Sequence, residues 1–467
     1  MKKIKIAYIG GGSKAWARVF MGDLALSDGL GGELALYDID IESANRNRRI
    51  GERINKNPKT KSIFEYKVYE KLDEALNGAD FVVISILPGT FEEMRSDVHT
   101  PEAYGIYQSV GDTAGPGGVL RAMRTLPIYE DFAKKIKDIC PKAWVINFTN
   151  PMSACTKILY EIFPGIKAFG CCHEVFHAQE FLCKVLQETR GIKISRKDFY
   201  SDACGINHFT WITEAKYKDF DLLSLIPEFE EKYFEDGYYE YADTRGRFAW
   251  HEDMFAYGNK VKMDLYNKYG VLAAAGDRHL AEFMPSTWYL KDPATVDKWC
   301  FRLTTVDFRI KQQQERIKDT IAMANGEKEF VLEKSSEEAV EILKALLGMG
   351  DLVTNVNFPN RGQMPQMPLG SIVETNCIFS NDKIQPILAK ELPINACNLV
   401  HRCCLNVDAT VDAIEKRDLN GLYLAFANQA LCNCLTPDQS KDLFRTMCYN
   451  TREYLDPYYD LDGYFNK

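Results

Sequence analysis

The chain opens with an apolar, β-rich run at residues 4–9 that stops at Gly10-Gly11-Gly12-Ser13. Ala15, Val19, Phe20, Leu24 and Leu26 then recur at helical spacing. Strand, glycine turn and helix follow in that order, and a second strand is predicted over 33–37, ending in Asp38. Further buried-strand patterns at 81–86, 143–148 and 167–170 stop at Pro88-Gly89, at Thr149-Asn150-Pro151 and after Gly170. Apolar strands alternating with helical segments predict an α/β fold with a parallel sheet, and these breaks fall where such a sheet presents its ligand-facing loops. The first, Rossmann-like unit is expected to span residues 1–195. From 196 to 467 the pattern mixes strand-like pieces with long helices, at 307–325 and 335–347 among others, and predicts a second, mixed α+β and largely helical domain. Phe229 and Tyr233, four apart on one helix face, read as part of a helical cover packed on a core.

The glycine turn gives the first unit its chemistry. Gly10 permits the tight turn, Gly11 continues it, and Gly12 lets the backbone approach a pyrophosphate. The amides from Ser13 onward open a helix whose dipole favours negative charge. Asp38 at the end of the second strand accepts bonds from ribose hydroxyls and repels a 2′-phosphate, so NAD is expected over NADP; Asp40, two residues on, is the alternative acid.

Charge and composition narrow the partners. The 467 residues carry 57 basic and 66 acidic side chains, a formal net charge of -9. With no long basic run, nucleic acid and anionic membrane are poor partners. No apolar stretch reaches the roughly 18 residues of a membrane helix. The opening is read as a strand and not an export signal, and fourteen cysteines in a chain of this kind fit a reduced, cytoplasmic protein.

Other motifs lie between and beyond the strands. Gly111-Asp112-Thr113-Ala114-Gly115-Pro116-Gly117-Gly118 precedes Arg121 and Arg124, which share a helix face; Asp112 joins the catalytic candidates. Cys172-His173-Glu174 and Gly205-Ile206-Asn207-His208 each follow a strand. Alone, Cys172 reads as a small buried hydrophobe and His208 as a hydrogen-bonded core histidine. Cys397, His401, Cys403, Cys404, Cys432 and Cys434 have no standard zinc spacing and read as small thiols packing helices.

Taken in order, the Gly-Gly-Gly-Ser turn, the 112–127 segment ending Arg-Thr-Leu-Pro, Asn147-Phe148-Thr149-Asn150-Pro151, Cys172-His173-Glu174-Val175, Gly205-Ile206-Asn207-His208, Val356-Asn357, Asn360-Arg361-Gly362 and Val373-Glu374 resemble glycoside hydrolase family 4. The resemblance implies NAD- and divalent-metal-dependent glycosidases, with Mn²⁺ as the metal. The sugar is oxidised transiently at C3, the glycosidic bond leaves by elimination, water adds, and NAD is restored. It places the metal on Cys172 and His208, the leaving-group proton on His173, and Asn150, with Asn147 second, near sugar and nicotinamide. It places the base in the 275–279 loop, with Asp277 chosen over Tyr266 and Tyr269. Cys-His-Glu-Val looks most like the branches acting on uronides, with α-galacturonides first, α-glucuronides next and neutral hexosides as a further alternative. Arg278, His279 and Arg361 are candidates to hold the uronate carboxylate. The family also implies a homodimer or homotetramer. A net dehydrogenase and a non-catalytic NAD sensor are the competing readings.

Overall fold

The computed structural model describes residues 1–242 and 249–466. Strands β1 (Lys2–Ile9), β2 (Leu30–Tyr37), β3 (Phe64–Tyr69), β4 (Phe81–Ile84), β5 (Trp144–Asn147) and β6 (Lys167–Gly170) pair in parallel in the order β3-β2-β1-β4-β5-β6. That is the doubly wound order of dinucleotide-binding sheets. β4 and β5 are buried along their whole length, which is why they read as continuous apolar runs without alternation.

The sheet does not stop at β6. β7 (Tyr200–Ile206), β8 (Phe209–Tyr217), β9 (Phe220–Asp221), β10 (Leu272–Ala273), β11 (Leu352–Pro359), β12 (Ile372–Ser380) and β13 (Lys383–Pro386) extend it in antiparallel fashion. The join is the pairing of Asn357 in β11 with Gly170 in β6, after which the order runs β11-β12-β7-β8-β10. One transverse row of partners therefore crosses the whole sheet: Tyr37, Ile9, Ile84, Asn147, Gly170, Asn357, Glu374, Gly205 and Thr210. The glycine turn, the 148–151 turn, Cys172 and the Asn207-His208 turn all lie just past that row. The N-terminal unit is thus a Rossmann-like α/β body, and the C-terminal part is the more helical one.

Helices cover both faces. The one expected over 307–325 runs Val306–Asn325. The one expected over 335–347 is shorter, Ala339–Leu346, because Ser335 donates its amide and hydroxyl to Asp23 and is held as a turn against the first helix. Phe229 and Tyr233 lie on the helix Ile226–Tyr233 and are core residues, with Phe229 edge-on to Phe181. Cys397, Cys404 and Cys432 are buried in the apolar core with Leu422, Phe426 and Leu431. Among the described residues no helix is long and apolar enough to cross a membrane.

Arg124 is a structural residue. It grips Asp97 through two bonds of 3.0 and 2.5 Å, with both side chains 2% exposed, and so ties the helix Phe91–His99 to the helix Gly115–Ile139. Removing one partner of such a pair leaves a buried charge without compensation. Arg124→Met is expected to cost about 3–5 kcal/mol of stability in denaturant unfolding; a cost below about 1 kcal/mol would contradict this role.

Candidate active site

The glycine turn is made tight by its neighbours. Gly10 has φ +97°, and a Cβ there would meet the Ser85 carbonyl oxygen at 2.0 Å, so no side chain fits. Gly11 backs onto Leu36, where a Cβ would lie 2.8 Å from the leucine Cβ. Gly12 donates its N–H to Asp38 Oδ2 at 2.8 Å. The pressure for glycine at this position therefore comes from Asp38, whose carboxylate a Cβ would also meet at 2.8 Å. Asp40 is occupied elsewhere, since it caps the helix Ile41–Ile54 by accepting Ser43 N–H at 3.0 Å and lies 3.4 Å from Lys14. Asp38 is the acid beside the turn. The helix Trp16–Leu26 starts at Ala15 without a side-chain cap bond, and Ser13 Oγ reaches its first amides only at 3.4 and 3.5 Å. Those N–H groups suit an anion, so the turn fits a dinucleotide phosphate.

Across the row, the Asn207-His208 turn closes the β7–β8 hairpin, with His208 at φ +63°. Its ring stacks on His279 with centroids 3.8 Å apart, and the donor atoms of Asp112, His208 and His279 all lie within 4.8 Å of one another. Among the described residues this is the group of histidine, cysteine and acid side chains close enough to share a metal ion.

The hydrogen bonds leave this group ready to ligate. Thr113 Oγ1 gives its one hydrogen to Asp112 Oδ1 at 2.8 Å, so towards His208 Nδ1, 3.0 Å away, it must accept. His208 then carries its proton on Nδ1 and presents the Nε2 lone pair. Burial, with His279 nearby, pushes its pKa down to about 3, and burial likewise lowers that of His279. Burial opposes ionisation of Asp112, but Arg121, His279, His208 and Arg309 outweigh it and hold the carboxyl well below the usual range. Two neutral imidazoles and an ionised carboxylate are a donor set for a borderline divalent cation.

Cys172 lies outside that group. It is buried, and burial together with the Glu374 and Glu174 carboxylates pushes its thiol far above the ordinary range. Around His208 the geometry thus adds Asp112 and His279, two residues that the resemblance does not place on the metal.

His173 starts the helix Glu174–Arg190 and turns towards the glycine-turn side, with Trp16 at 5.7 Å and Glu337 Oε1 3.1 Å from Nδ1. Burial alone would lower its pKa, but Glu337, Glu174 and Glu374 push it up to about 8. Asn150 donates towards Asp112 at 3.4 Å, and its own Oδ1 is buried without a partner. Both amide atoms of Asn207, His279 Nδ1, Glu282 Oε2 and Glu374 Oε1 are also buried without partners. Orphaned polar atoms are scarce in native interiors, and this concentration of them marks where ligands bind.

Other expected residues fall elsewhere. Asp277 is wholly buried, and its two oxygens accept the N–H groups of Val261 and Lys262 at 3.2 and 3.0 Å. Its carboxylate thus caps the helix Lys260–Tyr269, and burial pushes its pKa up to about 7. Tyr266 and Tyr269 lie on that helix and are also turned away, Tyr266 bonding Leu223 O at 2.8 Å and Tyr269 packing on Trp211. Asn147 is fully buried and accepts from Tyr129 and from Thr149 N–H at 2.7 and 3.0 Å, so it shapes the 148–151 turn and faces no ligand. Arg361 is exposed and stacks over Phe358. Arg278 is buried beside the site, donates to Thr304 and lies over Phe255.

The fold also engages Glu174, the third residue of the Cys172-His173-Glu174 motif, together with Glu282 and His177, which no sequence motif singled out. Glu174 accepts Gly276 N–H at 2.6 Å and is ringed by His279, His177 and His173, which hold its pKa below the usual carboxylate range against burial. Glu282 accepts the amides of Val110 and Gly111 at 2.7 and 2.9 Å and so positions Asp112. Its signal in the sequence is faint, one acid three residues after His279. His177 stands four residues after His173, on the same helix face.

The models for family 4 glycosyl hydrolases and for their C-terminal domain match residues 5–188 and 203–432. The chain belongs to glycosyl hydrolase family 4. An α-galacturonidase of Thermoanaerobacter italicus is 54% identical to it over 97% of each chain. The crystal structure of a Bacillus subtilis protein described as a glucosidase matches with 44% identity and a TM-score of 0.90, over 96% of this chain and 100% of that one. A 6-phospho-α-glucosidase from gut microorganisms, solved with NAD and Mn²⁺, shares the fold at 18% identity, TM-score 0.78, over 97% and 99% of the chains. Family 4 membership makes this chain a glycosidase.

Two substitutions separate the cofactor sites. Gly10→Ala is expected to abolish NAD binding in calorimetry while metal binding persists. Asp112→Asn is expected to weaken Mn²⁺ binding at least ~10-fold with NAD affinity retained. Unchanged Mn²⁺ affinity in Asp112→Asn would remove Asp112 from the metal site.

Proposed function

We propose that this chain hydrolyses α-galacturonides, with NAD in the glycine turn and a divalent cation, Mn²⁺ by preference, on His208, Asp112 and His279. The observation that carries the reading is that three-donor group, set one loop past the same strand row as the dinucleotide turn. Similarity to an α-galacturonidase supports the choice of sugar. When bound, NAD supplies a reversible hydride acceptor and the cation a Lewis acid for charge on the sugar oxygens.

The chain's own residues do the rest. Asp112 and the two imidazoles fix the cation's place, with Thr113 setting the His208 tautomer. Glu282 holds the 110–111 amides and thereby the Asp112 loop. Asn150, whose Oδ1 lacks a protein partner, is placed to orient a sugar hydroxyl. His173 carries a proton at neutral pH and gives it to the departing oxygen. Fourteen free cysteines suit work in a reducing cytoplasm.

Purified protein with NAD, Mn²⁺ and a reductant is expected to release the aglycone from an aryl α-galacturonide, and to lose that activity when either cofactor is withheld. Preference for an α-glucuronide or an α-galactoside would move the assignment to that sugar, and inactivity on all three would overturn it. Because His173 is protonated below about 8 and loses its proton above, kcat is expected to fall as pH rises through about 8. Glu337→Gln removes the nearest carboxylate raising that pKa, so the alkaline limb is expected to move down by roughly one unit. A limb that stays in place would exclude His173 as the donor.

A further inference from the structure

Three arginines approach Asp112 from different parts of the chain, and they are not equivalent. Arg121 donates Nε to the Asn150 carbonyl at 3.2 Å. Arg278 donates to Thr304 and lies flat over Phe255. The side chain of Arg309, on the first turn of the helix Val306–Asn325, makes no hydrogen bond or ion pair among the described residues, and its Nε is buried without a partner. Its electrostatic neighbours are two arginines, Arg278 and Arg121, and two acids, Asp112 and Glu282, so it lies beside the site.

The segment carrying it is held firmly in place. Thr304 N–H donates to Ser109 O at 3.1 Å, and Thr305 caps the helix by accepting Phe308 N–H at 3.3 Å. Val306 N–H donates to His99 Nε2 at 3.2 Å, and Phe308 packs on Phe255, the ring under Arg278. A guanidinium brought towards two others on a fixed backbone, with its buried Nε lacking a protein acceptor, is suited to an anion that completes it. Asp112 does not serve, because its carboxylate is taken up with Thr113, Asn150 and the metal-binding group.

We propose that Arg309 reads the carboxylate of the uronide substrate, with Arg278 beside it. This rests on the α-galacturonide reading and names the residue that selects the acid sugar. A planar guanidinium with free N–H groups matches a carboxylate through paired bonds, which a neutral hydroxymethyl group cannot return. Arg361, exposed on Phe358, takes no part.

The test uses the full chain with NAD and Mn²⁺. On an aryl α-galacturonide, Arg309→Met is expected to raise KM at least ~50-fold with kcat within about 5-fold, and Arg309→Lys to recover part of the loss. Unchanged NAD affinity and thermal midpoint accompany that result. A wild-type KM in Arg309→Met, or a loss confined to kcat, overturns the proposal. If wild-type protein cleaves no α-galacturonide, the functional reading fails, and Arg309 is judged separately by thermal shift with free D-galacturonate. Stabilisation of wild type but not of Arg309→Met upholds it as the carboxylate reader. Equal shifts, or none in either protein, overturn it.

Discussion

The pairing of Asn357 with Gly170 is the contact on which the site depends. It turns a parallel dinucleotide-binding sheet into a longer antiparallel one without breaking the transverse row of strand partners. A Cβ on Gly170 would lie 2.7 Å from Met152 and 3.1 Å from the Asn357 Cβ, so the two halves meet closely only because this residue is glycine. Through that join Glu374 and the Asn207-His208 hairpin are brought level with the ends of β1, β4 and β5. The cofactor turn and the metal-binding group then face one space. Neither half of the chain could form that space alone.

The electrostatics of this space are mutually dependent. Asp112 stays ionised at depth with Arg121 and Arg309 beside it, while burial lowers the pKa of His208 and His279. His173, a few ångströms from Glu337, is driven the opposite way, to about 8. Two histidines separated this far in pKa can act as ligand and proton donor at one pH, which is how a single site assigns different roles to one residue type. Glu282 and Asp277 use the same chemistry for architecture, each committing its carboxylate to backbone amides.

Local features were legible in the sequence. The glycine turn, Asp38, the buried strands and the helix near 307–325 all rest on short-range periodicity or turn chemistry, and they fold where those signals lie. Motif order brought out His208, His173 and Asn150, each three residues past the same row of strand partners. What the sequence hid depends on long-range register. Asp112 and His279 join His208 only across the folded sheet, 96 and 71 residues away in the chain. Asp277 carried the chemistry of a base, but the backbone amides of a preceding helix claim it. Arg361 carried the right charge, but its strand end turns it onto Phe358 and out to solvent.

A sheet of dehydrogenase design is thus turned to hydrolysis, and the central claim is that the bound nicotinamide is restored in every turnover. The direct measurement follows the ultraviolet absorbance of reduced nicotinamide while free galacturonate is quantified, with protein, NAD, Mn²⁺ and an α-galacturonide in excess over the protein. Many equivalents of sugar released with no build-up of reduced cofactor is the predicted result. Reduced cofactor accumulating in step with substrate consumed would contradict the account and make the protein a net dehydrogenase.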